Sequence, residues 1–153
     1  MNWGSTIIAG LVATIVMTIL MYMGKAMGMR MDMPRILGLM FAQPGHKGSV
    51  YAIGTIAHLM MGAIFGIIYA VLFNVLGIPA NWLWGAVFGL VHGIALGAML
   101  PVMPSIHPRM GNGNVLPPLG AYAANYGSMI PVAWIMLHII FGAVIGWIYS
   151  ASI

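Results

Sequence analysis

The sequence predicts an all-α integral membrane protein, a four-helix bundle built from two duplicated two-helix halves, and three observations carry that prediction. The 153 residues are 62% hydrophobic and only 4% charged, whereas a soluble domain carries roughly 25% charged residues, so most of the surface must face lipid. Four stretches stay apolar over the about 20 residues that a helix needs to cross a hydrocarbon core. The pattern H-x-x-x-G-A-x-x-G-x-I-Y occurs twice without gaps, at His58 to Tyr69 and, 80 residues later, at His138 to Tyr149. Open sheet edges would be unsatisfied in lipid, and Gly and Ala recur at helical spacing, so the spans are helices.

The first span covers residues 5–24. Met1-Asn2-Trp3-Gly4 has no basic residue and no small-residue cleavage motif follows, so this stretch is expected to remain in the membrane and not act as a removable leader. The second covers residues 50–76 and stops short of Pro79; the third covers 82–102, with Pro101 marking its end. The fourth covers 130–150. Pro131 suits its first turn, where a missing N–H costs no helical bond.

The connections sort by charge. Lys25, Arg30, Arg35 and Lys47 lie between the first two spans and Arg109 between the last two, and the remaining connection and both termini carry no basic side chain. The positive-inside rule then predicts a multi-pass membrane protein with both long loops cytoplasmic and both termini outside. Trp3, Tyr69, Trp82, Trp84, Trp147 and Tyr149 are expected to form the outer aromatic belt, and Tyr22 and Tyr51 to lie near the inner interface.

The duplication extends more faintly to the odd-numbered spans. Gly10, Val12, Val16 and Ile19 match Gly85, Val87, Val91 and Ile94 at a constant offset of 75, which places Met17 opposite His92. Met33-Pro34-Arg35 is echoed by His107-Pro108-Arg109. The chain is thus expected to be one transmembrane domain, 1–153, with repeat halves 1–78 and 79–153. Because each half holds an even number of spans, the repeat is parallel, about a pseudo-two-fold axis along the membrane normal.

The first loop is crowded with methionine, and its apolar run 36–42, ended by Gln43-Pro44-Gly45, is expected to be an interfacial helix lying on the bilayer. The second, 101–128, mixes Pro104, Pro108, Pro117 and Pro118 with Gly111 and Gly120, so it should be irregular; its low charge suggests packing on the bundle or on a partner. Four short spans, a Met-rich first loop ending in Met31-Asp32-Met33-Pro34, and the repeated His-x-x-x-Gly of the second and fourth spans resemble an uncharacterised family of small bacterial four-span membrane proteins, a domain of unknown function. The resemblance covers nearly the whole chain; it implies a location in the bacterial inner (plasma) membrane but no activity, substrate or catalytic residue.

Composition excludes much chemistry. With no cysteine there is no disulfide, thiolate ligand or thiol nucleophile. Asp32 is the only carboxylate, so no acid/base pair exists and no carboxylate can orient a buried triad. No P-loop, dinucleotide fingerprint or H-E-x-x-H occurs. Five Lys and Arg are too sparse for a nucleic-acid footprint. The sequence argues against an enzyme.

What remains is three histidines and the methionines. His58 and His138 lie about 12 Å, and His92 about 15 Å, from the inner ends of their helices, and ionisable groups at that depth face the bundle interior. Three imidazoles with Met17 would suit Cu(I). Two of them could instead ligate haem b axially, with Gly62, Gly89, Gly93 and Gly142 leaving room for the macrocycle. Equally, each could hydrogen-bond a carbonyl or hydroxyl across the bundle, or line a solute or proton path. Met23, Met27 and Met31, spaced i, i+4, i+8, would form a thioether stripe if the first helix continues past Gly24, with Met99, Met103, His107 and Met110 as the twin cluster; these read either as soft-metal ligands or as adaptable filler. The rows Gly54, Gly62, Gly66 and Gly85, Gly89, Gly93, Gly97, with Gly142 and Gly146, read as helix-packing surfaces. The expected role is an accessory, assembly or scaffolding subunit in the bilayer, within a larger membrane complex or a homo-oligomer, with Cu(I) or haem handling as the alternative.

Overall fold

A computed structural model describes residues 2–111 and 114–152. The order is α1 (Trp3–Ala26), α2 (Met33–Phe41), α3 (Lys47–Val75), α4 (Trp82–Met99), α5 (Met103–Ile106) and α6 (Ile130–Ser150), with 3-10 turns at Leu100–Val102 and Ala121–Tyr126 and no strand among the described residues. Four of these helices are long and apolar enough to cross a membrane: α1, α3, α6, and α4 continued through its 3-10 turn and α5 to Ile106. Local chemistry sets the ends. Asn2 and Asn81 cap α1 and α4 by accepting from the backbone N–H of Ser5 and Trp84. Gly28, at φ +99°, reverses the chain after α1.

The spans pack as two pairs, α1 with α3 and α4 with α6, joined mainly through α1 against α6. Within each pair the backbones touch. A Cβ on Gly10 would fall into the carbonyl of Gly62, and one on Gly85 into the carbonyl of Gly142. Gly66 lies against the carbonyl of Thr6 and the Cα of Gly10; Gly146 lies against the carbonyl of Asn81 and the Cα of Gly85. The two crossings therefore use positions related by the same offsets of 75 and 80 that relate the sequences. Lipid tails are as apolar as Leu, so helices associate here through close contact, and only residues without side chains permit it.

Between the pairs, at the end away from the long loops, Tyr69, Phe73, Phe141, Ile145 and Tyr149 form a buried cluster with Ala9 and Ala13. Tyr69 and Tyr149 are each only 2% exposed, so they leave the expected aromatic belt to Trp3, Trp82, Trp84 and Trp147, which remain outward. The phenol rings face inward because their helix faces are the glycine-bearing ones.

Both long loops gather at the other end, with all five basic residues. The apolar run of the first loop is helical, as expected, but α2 docks on α3 and does not merely rest on lipid: Gly38 lies against the carbonyl of Val50 and Gly54 against that of Pro34. Asp32 is buried and holds the junction together. It caps α2 through the Arg35 N–H at 3.1 Å, accepts from the Tyr51 hydroxyl at 2.8 Å and pairs with Lys25. The second loop packs on the bundle and clasps α2. His107 Nε2 donates to the Ile36 carbonyl at 2.9 Å, and Arg109 donates to the Leu39 carbonyl at 2.6 Å, where a cation suits a helix C-terminus. The Pro-Arg echo thus ends in two structures, a helix start at Met33–Arg35 and a docking turn at His107–Arg109.

Since a methyl at Gly10 or Gly85 must push two backbones apart, Gly10→Ala and Gly85→Ala should each cost about 1–3 kcal/mol. Gly45→Ala and Gly48→Ala, which meet open space, should be close to neutral. Thermal melts of the detergent-solubilised protein followed by circular dichroism check this, and equal melting temperatures for both sets would contradict the close crossings.

Candidate functional site

The glycine contacts hold α1, α3, α4 and α6 in fixed register, and a cavity of about 260 Å³ remains between the two pairs. Its wall brings together all three deep histidines and Met17, with Thr14, Phe65, Trp134 and Phe141 around them. Six further methionines contribute: Met21 from α1, Met61 from α3, Met136 from α6, Met29 and Met31 from the returning loop, and Met33 from the start of α2.

Each imidazole is held through Nδ1. His138 Nδ1 lies 2.7 Å from the carbonyl of Trp134, which can only accept, so the proton is on Nδ1 and Nε2 carries a lone pair. His58 Nδ1 lies 3.2 Å from the Thr18 hydroxyl, which already donates to the Thr14 carbonyl at 2.7 Å. That hydroxyl has one proton, so it must accept from His58, and His58 is the same tautomer. His92 Nδ1 lies 3.2 Å from the Tyr69 hydroxyl, and its Nε2 is buried with no partner. In a low-dielectric interior such an orphan is costly.

The rings are not equidistant. His92 and His138 meet edge to face with centroids 5.0 Å apart. Phe65 covers His92 at 4.0 Å and Trp134, itself fixed by donating to the Gly93 carbonyl at 2.8 Å, flanks His138 at 4.5 Å. Among the described residues, no group of three or more His, Cys, Asp or Glu stands close enough to share a metal ion. The arrangement is a close His92–His138 pair with His58 and Met17 elsewhere on the same wall, and not a compact three-histidine cluster.

Other expected groupings come apart. The stripe Met23, Met27, Met31 does not form, because α1 ends at Ala26: Met27 is 85% exposed, Met23 faces outward, and only Met31 turns in. His107 is committed on both nitrogens, to Ile36 and to the Arg109 N–H at 3.2 Å, so it is not a free ligand. Met99 is exposed while Met103 packs against the buried loop-end core that contains Met110. The glycines do not leave a slot for a macrocycle. Gly62 is filled by Thr14, Gly89 by the His138 carbonyl, Gly93 by the His138 side chain and Gly142 by the backbone of α4.

The family of unknown function DUF6789 matches residues 2–152. The chain belongs to that family. No curated protein and no solved structure matches it. This member is therefore a small membrane protein with four span-length helices, whose site must be read from its own residues.

Thr18 and Trp134, which orient two of the imidazoles, are not marked by any sequence motif, and Tyr69, expected in the aromatic belt, instead meets His92; Met21, Met29, Met33, Met61 and Met136 likewise belong to no motif that marks them as wall residues. Signals existed for some of them. Met17 and Met21 are one turn apart, as are Thr14 and Thr18, and Trp134 precedes His138 by four residues, spacings that share a helix face.

The tautomers are directly checkable. Nitrogen-15 NMR of labelled histidine should show His58 and His138 neutral and protonated on Nδ1, with unprotonated Nε2. Protonation on Nε2 in either would mean a different hydrogen-bond network around the cavity.

Proposed function

We propose that this membrane protein is a non-catalytic holder of a soft ligand, Cu(I) being the one its donors suit, and that it works as an accessory subunit to a larger membrane assembly or to further copies of itself. The observation that supports this reading is the buried, unpartnered Nε2 of His92 on the wall of an apolar cavity that His58 and His138, bonded through Nδ1, also line. A ligating histidine is held by a bond from its other ring nitrogen, which fixes tautomer and orientation. His138 and His92 are the proposed ligand pair, with His58 and the Met17 thioether as additional soft donors on the same wall; imidazole and thioether together favour Cu(I) over harder ions.

The same reading keeps the duplication, two parallel halves descended from one hairpin, supported by crossings repeated at matching offsets. It keeps the charged loops cytoplasmic, supported by the gathering of every basic residue at one end. No catalytic role is proposed, since the single carboxylate is already engaged by Lys25, Tyr51 and the start of α2. Haem b is not favoured. The cavity of about 260 Å³ falls below the roughly 300–1,000 Å³ of ordinary small-molecule pockets, and the glycine positions that would have seated a macrocycle hold protein.

Anaerobic titration of the purified protein with Cu(I) against a chromophoric chelator tests the reading. His138→Ala and His92→Ala should each abolish one bound Cu(I), and Tyr69→Phe, which removes the partner of His92 Nδ1, should weaken it by about 10–100-fold. Copper binding indifferent to all three, or a Soret band that titrates to one haem per chain, would overturn the assignment.

A further inference from the structure

The cavity wall changes character along its length. Away from the loops the space between the helix pairs is filled by the aromatic cluster, with Tyr69 edge-on to both Phe88 and Phe141. Toward the loops the wall becomes thioether: Met21, Met29, Met31 and Met33 line it beyond the imidazoles. At the loop end the imidazoles are thus bordered by sulfur.

These four side chains are brought together by the fold and not by sequence adjacency. The Met33 N–H points at Met21 Sδ at 3.4 Å, and Met29 packs its sulfur on Gly24, three residues beyond Met21 on α1. Met31 is buried in the same core as Met21. The reversal at Gly28 turns the loop back over α1, and the Asp32 pairing with Lys25 and Tyr51 pins it there. Met23 and Met27, equally available in sequence, face outward. Of the first loop's methionines, Met29, Met31 and Met33 are the ones on the cavity wall.

We infer that Met21, Met29, Met31 and Met33 form a second Cu(I) site at the loop end of the cavity, from which the ion passes to His92 and His138; the inference rests on the Cu(I) reading of those imidazoles. Thioethers are neutral, soft and carry no proton to release, so they select Cu(I) while binding it loosely enough to pass on. The metal stays Cu(I) throughout. Ligands exchange one at a time, sulfur for the incoming donor's ligand and then imidazole nitrogen for sulfur, and no proton or electron moves.

The test is Met29→Leu/Met31→Leu/Met33→Leu, which conserves volume and apolarity, compared with wild type in detergent under Cu(I) from a chelate. X-ray absorption identifies sulfur and nitrogen ligands, and stopped-flow mixing gives the loading rate. Wild type should take up two Cu(I), one with a sulfur shell. The triple variant should lose the sulfur-ligated ion, keep the nitrogen-ligated one, and load it about tenfold more slowly. If the triple variant no longer melts cooperatively, Met33→Leu alone, which keeps its backbone bond to Met21, should show the same slowing. Unchanged stoichiometry, sulfur scattering and loading rate would overturn the second site and leave the methionines as packing, with the imidazole reading intact. Copper lost in the triple variant but untouched by His138→Ala would instead remove the imidazole site that the sulfur is meant to feed. A protein that binds no Cu(I) overturns both.

Discussion

The contact of backbone on backbone at the glycine crossings is the constraint on which the rest depends. In lipid nothing squeezes helices together as water does, so two spans stay paired only where their surfaces meet closely. Here Gly10 meets Gly62 and Gly85 meets Gly142 with no side chain between. Such contact fixes axial register as well as distance, because a shift of one residue would drive a Cβ into a carbonyl. Register in turn decides that His58, His92 and His138 open on one cavity, and that the phenol of Tyr69 reaches His92.

Among the described residues, the buried side-chain polar atoms other than His92 Nε2 have partners. Thr6, Thr14 and Thr18 return their hydroxyl protons to carbonyls on their own helix, and Trp134 donates across to Gly93. Asp32, the lone carboxylate, has a cation, a hydroxyl and a backbone N–H around it. Against this economy Nε2 of His92 stands out, buried without a partner. Two of the rings are oriented by acceptors that leave Nε2 with its lone pair, which is the arrangement a metal ligand needs and a hydrogen-bond donor does not.

Much of this was legible in the sequence, and the physical reason is that lipid leaves few choices. Apolar length placed the four spans, basic residues gathered the loops, and small residues at i, i+4 marked the touching faces, which are the glycines that touch in the structure. The three histidines stood out because nothing polar belongs at that depth without cause. What could not be read depends on where a loop returns. The stripe through Met23, Met27 and Met31 presumed a helix that Gly28 ends, and the methionines that do converge come partly from α1 and partly from a segment folded back by Asp32. Tyr69 and Tyr149 resemble belt residues in one dimension, and only the crossing of glycine faces turns them inward. The commitment of His107 to α2 likewise joins residues 71 positions apart, beyond any local pattern.

The central claim is that the imidazole nitrogens around the cavity are a soft-metal site held open by glycine-locked helices. Crystals grown with Ag(I), a redox-inert stand-in for Cu(I), test it most directly through anomalous diffraction. The account predicts a peak inside the cavity beside Nε2 of His92 and His138. An empty cavity with those nitrogens bonded to protein groups, or silver bound only at the exposed Met23 and Met27, would contradict it.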